Sequence, residues 1–377
     1  MRVLCALIPW ILAMPVAWAQ QPIPMVGLLE LSGPGATSGA HFKAGLELAA
    51  KAINAAGGIL GRPVALTIRD TQTSPAIAKA LAAKAVDDGA YVVFGPIFSG
   101  SVLVSMEELR RAEVPNLVGG EATSITQRGN PYVFRTSFSQ ANAMPKVGRY
   151  VAQDLGARSV AVVYVNNDFG KGGRDALVED LGRRNVRIAA DISTDQGQID
   201  FSGPVLRAKQ AGADALFVYL NVDESARMLR ELRKQGYDKP VVGETTIMQQ
   251  SVIDLAGEAA NGARGHVGLT VDAPNAAILA YAERFEREAK FRSSHDGLKG
   301  YIALYTVKAA TERAGRVDAR ALAQAIRGQC FSAGQTPGLL MDLCYDDKGD
   351  LDRESFMVEV KAGKQTVVGT LPPLRPR

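Results

Sequence analysis

Short apolar runs rich in β-branched residues recur along the chain, each followed by a longer stretch whose apolar positions fall three and four apart. The first pattern is that of a buried strand, the second that of a helix with one covered face. Met25–Leu29 predicts a strand ending in the Gly-rich loop Ser32–Gly39, and Phe42–Ala55 a helix with Leu46, Ala49, Ala50 and Ile53 on one face. Gly57-Gly58 stops that helix. Val64–Ile68 is the next strand, ending at Asp70, and Ser74-Pro75 opens a helix through Val86. Asp88-Gly89 turns the chain into the strand Tyr91–Phe94, a helix runs from Val102 to about Arg111, and the strand Asn116–Val118 leads to Gly119-Gly120-Glu121.

The pattern then starts again. Val160–Tyr164 predicts a strand, Gly170–Arg184 a helix and Arg187–Ala190 a strand, after which Ser202-Gly203-Pro204 opens a helix through Ala211 ahead of the strand Ala215–Leu220. Lys79–Pro96 and Val205–Asn221 share one plan: helix, turn with Gly and an acid, buried strand. Such a rhythm predicts an α/β chain with parallel sheets covered by helices on both faces, built as two similar lobes. In open parallel sheets ligands bind beyond the carboxyl ends of the strands. The candidate loops are Ser32–Gly39, Pro96–Ser101, Gly119–Thr123, Asn166–Gly170, Asn221–Glu224 and Gly243–Thr246.

Among these, Phe94–Ser105 carries the sharpest chemistry. The strand stops at Gly95-Pro96, and Ser99 and Ser101 flank Gly100 just ahead of the next helix, where N-caps are found. A strand entering a helix through small residues leaves unpaired N–H groups that suit an anion such as a carboxylate.

The start of the chain changes the setting. Arg2, an apolar run and Ala17-Trp18-Ala19 read as an export signal cleaved after Ala19, which leaves a periplasmic protein. Cys5 departs with it, so Cys330 and Cys344 remain in an oxidising compartment, where a disulfide between them is expected. The formal net charge of +4 is spread along the chain with no basic run, so nucleic acid is not an expected partner. Neither a metal site nor a cofactor is expected, and the tail 372–377 reads as loosely held.

Further stretches carry a family resemblance: Leu31-Ser32-Gly33-Pro34, Ile53–Gly61, Asp70 with Pro75, Gly129–Arg135, Asp168–Gly172, Asp200-Phe201-Ser202 and Gly300-Tyr301. Together they span nearly the whole mature chain, which resembles the periplasmic solute-binding proteins of the leucine/isoleucine/valine type. The resemblance implies two Rossmann-like lobes joined by a three-strand hinge, with crossovers near Thr136–Gln140, Leu269–Asp272 and Phe356–Glu359. Lobe one would be 22–138 plus 271–356, and lobe two 139–270 plus 357–371. It implies a monomeric receptor that passes a small-molecule ligand to an ABC permease in the inner membrane. The ligand carboxylate would meet Ser99, Gly100 and Ser101 and the turn Gly119, Gly120, Glu121, Ala122 and Thr123, with Phe169 packed over the ligand.

This sequence also departs from the family. Glu121 stands among residues that are usually small, Asn221 where branched-chain binders often have Tyr, and Ser38 where they have an aromatic. Thr245 falls at the acidic position that pairs with an amine, with Glu244 beside it as the candidate. Leucine specificity is therefore not carried over. Asp168-Phe169-Gly170 spells a kinase motif without a catalytic loop, and His41, His266 and His295 read as scattered surface or packing residues. No catalytic constellation is legible, so an exported enzyme ranks below a transport receptor and below a sensing module of the same fold.

Overall fold

The computed structural model describes residues 21–374, so the expected signal at 1–19 and the last three residues of the tail lie outside the described residues. The first sheet is wholly parallel and takes its strands from β1 (Ile23–Leu29), β2 (Val64–Asp70), β3 (Val92–Phe94), β4 (Asn116–Val118) and β5 (Val133–Arg135). Their order is β2-β1-β3-β4-β5. β3, β4 and β5 are buried throughout, because helices cover both faces of a parallel sheet.

The second sheet contains β6 (Ser159–Val165), β7 (Arg187–Thr194), β8 (Ala215–Tyr219), β9 (Val241–Glu244) and β10 (Arg264–Val267) in parallel. β11 (Cys330–Phe331), β12 (Leu343–Tyr345) and β13 (Leu351–Asp352) form a small antiparallel sheet of their own. β14 (Ser355–Lys361) then returns antiparallel to β10, and β15 (Lys364–Leu371) closes the edge, giving the order β15-β14-β10-β9-β8-β6-β7. Phe356–Glu359 thus lies inside β14, and Arg353–Glu354 makes the passage from the small sheet. Cys330 and Cys344 face each other across β11 and β12 and are joined by a disulfide. Pro372 accepts a hydrogen bond from Lys146 Nζ at 3.3 Å, so the tail is anchored at its start.

The helices are α1 (Ala36–Ala55), α2 (Pro75–Asp87), α3 (Ser99–Arg111), α4 (Ser124–Gln127), α5 (Gln140–Arg149), α6 (Asp168–Arg183), α7 (Ser202–Gln210), α8 (Val222–Lys234), α9 (Gln250–Ala256), α10 (Ala276–Ala289), α11 (His295–Ala314) and α12 (Ala319–Ile326). Most of the predicted Gly-rich loop is helical: Gly33–Gly35 forms a 3-10 turn and α1 begins at Ala36. α1 and α11 pack almost backbone to backbone. A Cβ on Gly45 would lie 2.0 Å from the Gly297 carbonyl oxygen, and one on Gly300 2.3 Å from that of Phe42. This contact fixes the start of α11 beside the carboxyl end of the first sheet. No helix among the described residues is long and apolar enough to cross a membrane.

Candidate functional site

Each parallel sheet has a point where successive connections leave in opposite directions. In the first it lies between β1 and β3, in the second between β6 and β8. Crevices open there because neighbouring loops diverge. The loops at both points meet around one cavity of about 170 Å³, small for a ligand pocket and suited to a small solute.

From the first sheet come Pro34 and Ser38, after β1, and Ile97 to Ser101, after β3. Phe98 is the N-cap of α3, so Ser99, Gly100 and Ser101 are its first three helical residues rather than caps. Their N–H groups have no acceptor four residues back within the helix, and they head a positive dipole end. The Ser99 hydroxyl oxygen accepts from Glu121 N at 3.3 Å and Ala122 N at 3.1 Å, binding the next loop to the helix start. Glu30, fully buried at the end of β1, accepts from Ile97 N at 3.0 Å and Phe98 N at 3.1 Å. Burial pushes its carboxyl up to about 7.

From the second sheet come Asn167, Asp168 and Phe169, after β6, with Asn221 and Val222 after β8. The Phe169 ring stacks on Tyr219 with centroids 4.2 Å apart, and Gln140 Nε2 bonds the Phe169 carbonyl at 2.6 Å. Asn221 is committed to its own helix start, since its N–H and Nδ2 both donate to Glu224 Oε2 at 2.9 and 2.8 Å. Asp168 leans across, its Oδ2 3.2 Å from where a Cβ on Gly100 would sit.

A charged wall closes the back. Lys299 Nζ lies 3.1 Å from Glu121 Oε1, 3.3 Å from the Gly119 oxygen and 3.4 Å from Asp296 Oδ1, and all three of these charged side chains are buried. Burial pushes Glu121 up to about 7 against the pull of Lys299. Burial opposes ionisation of Asp296 as well, but His295 and Lys299 hold it below the usual carboxylate range. Burial pushes His295 down to about 3, against the pull of Asp296.

The cavity brings together Ser38, Ser99, Gly100, Ser101, Gly119, Glu121, Phe169 and Asn221 from the sequence-derived set. Gly120, Ala122, Thr123, Glu244 and Thr245 do not line it. A Cβ on Gly120 would meet Ile125 and Val102, and Ala122 packs in that same apolar cluster. Thr123 is the N-cap residue of α4. Glu244 turns behind the wall toward His266 Nδ1 at 3.2 Å and bonds Thr245 Oγ1, so Thr246 and not Thr245 reaches the cavity. His295 is neither a surface residue nor only packing: it lines the cavity with Asp296 and Lys299. Sequence reading missed this trio. Its signal was a charged pair three residues apart on a helix otherwise apolar enough to be buried.

The profile of a family described as periplasmic binding protein matches residues 22–365. The Leu/Ile/Val-binding protein homolog 1 of Brucella melitensis is 27% identical over 336 residues, covering 89% of this chain and 88% of that protein. The leucine-, isoleucine-, valine-, threonine- and alanine-binding protein of Pseudomonas aeruginosa is 26% identical over 331 residues, 87% of each chain. Among solved structures, LivJ of Streptococcus pneumoniae in complex with isoleucine superposes with TM-score 0.84 at 22% identity, covering 94% of this chain and 100% of that one. An R. palustris solute-binding protein in complex with benzoate gives 0.86 at 20% identity, covering 94% and 98%. The parallel sheets with facing switch points and the match over nearly the whole described chain agree: the chain belongs to the periplasmic binding protein family.

Proposed function

We propose that this protein is an exported receptor that clamps a small amino acid or related carboxylate between two lobes and delivers it to an ABC importer in the inner membrane. The lobes would be 22–138 plus 271–356 and 139–270 plus 357–371, with the leader removed after Ala19. The observation that carries the reading is a small cavity shared by the switch points of the two sheets, with the first turn of α3 in its lining. Ser99, Gly100 and Ser101 would hold the ligand carboxylate. Ser99 accepts two N–H groups and still has its own proton to donate. Phe169, backed by Tyr219, would cover the apolar part of the ligand. Relatives named for leucine, isoleucine and valine, and a neighbour holding benzoate, set the range of small acids to try.

The test is a thermal-shift screen of amino acids, small carboxylates and aromatic acids, followed by calorimetry of the best binder on wild type and Ser99→Ala. Losing a hydrogen bond to a charged group costs about 1.5–3 kcal/mol, roughly tenfold or more in affinity. Undiminished affinity in the variant would remove Ser99 from the carboxylate site.

A further inference from the structure

The charges around the cavity do not balance. Its lining contains three carboxylates, Glu121, Asp168 and Asp296, against one cation, Lys299. An ammonium has three donors, and those of Lys299 already face Glu121, the Gly119 carbonyl and Asp296. One of the acids is held by hydrogen bonds and another is solvated. Glu121 is bound by Lys299 and receives the Tyr219 hydroxyl at 3.4 Å, while Asp168 is exposed at the cavity mouth beside Gly100. Asp296 differs: it is 1% exposed, its ion pairs with His295 and Lys299 both fall on Oδ1, and they leave both oxygens without a hydrogen bond of good geometry. The groups facing it are His295 Nε2 at 3.2 Å, Lys299 Nζ at 3.4 Å and, from α1, Ser38 and His41. A buried carboxylate that shares one ammonium with another acid is incompletely compensated, and a ligand that brings only negative charge would add to the imbalance.

We infer that Asp296, on the first turn of α11, receives a protonated amine of the ligand. This deepens the receptor reading and rests on it. The amine counter-charge then comes from α11 and not from Glu244, which lies behind the wall against His266. The ligand carboxylate goes to the start of α3 and its amine to the Asp296 carboxylate, which outweighs the positive end of α11, so the class selected is the amino acid rather than the amine-free acid.

The experiment titrates the full mature chain with the twenty common amino acids. Each one that stabilises the protein is then compared with the same acid lacking its amine, on wild type, Asp296→Asn and Glu244→Gln. At least one amino acid is expected to bind the wild type at least tenfold more tightly than its deaminated counterpart. Asp296→Asn should cost that amino acid tenfold or more while changing the deaminated acid less than threefold, and the loss should exceed that in Glu244→Gln. A larger loss in Glu244→Gln, or equal losses for both members of the pair in Asp296→Asn, overturns the inference. If Asp296→Asn does not fold, the wild-type pair decides alone, and equal affinities overturn it. Binding of benzoate or another amine-free acid with no amino acid bound would also overturn it, yet would leave the receptor reading standing.

Discussion

Glu30 organises the start of α3, the proposed anion-binding end, without lining the cavity. Its two oxygens take the N–H groups of Ile97 and Phe98, the residues that deliver the chain into α3. Burial raises its carboxyl from 4.5 to about 7, although those same N–H groups pull the other way. A carboxyl raised on folding contributes stability that is fully present below its unfolded value and is lost as pH climbs through the folded one. Glu30→Gln stays neutral and lacks that loss. Its stability relative to wild type should therefore rise between about pH 5 and about pH 8, by an amount on the order of 1–3 kcal/mol. Thermal melts at the two pH values check this, and a flat or falling difference would contradict it. Glu30 was not legible as a site residue, because the end of β1 meets the end of β3 only once the sheet is built. The place of Ser99, Gly100 and Ser101 in the cavity lining was legible because their surroundings are local. Glu244 was misplaced for a related reason: the side on which a strand-end residue faces depends on its neighbour strand, here β10 with His266.

At the scale of elements, the α1–α11 contact decides whether the charged wall stands where it does. Gly300→Ala would press a methyl group against the Phe42 carbonyl oxygen, 2.3 Å away. Such overpacking should cost about 1–3 kcal/mol and shift the start of α11 with Asp296 and Lys299. Denaturant melts and ligand affinity should fall together, and unchanged stability would mean the helices have slack. The Cys330–Cys344 bond ties β11 to β12. Replacing both cysteines by serine should cost about 3 kcal/mol for a loop of roughly 15 residues, and an unmoved urea midpoint would show that the small sheet holds without it. Periodicity found the strands and most helices, but it started α3 at Val102 and α1 at Phe42. Both helices begin with small and polar residues that carry no apolar period, and their first turns are the parts that reach the cavity.

Across the whole molecule, the α/β plan was legible because strands buried on both faces read as plain apolar runs, such as Val160–Tyr164. The restart of that pattern showed a second sheet, and the cavity lies where the two switch points meet. The wall on α11 was not legible, since it enters the site from more than a hundred and seventy residues downstream of Glu121. The central claim is that one small solute is held by both sheets at once. Hydrogen exchange with and without the most stabilising acid of the screen tests this most directly. Protection should appear together in peptides covering Phe98–Val102, Asn166–Gly170 and His295–Lys299. Protection confined to the segments of one sheet, or lying outside all three, would contradict the account.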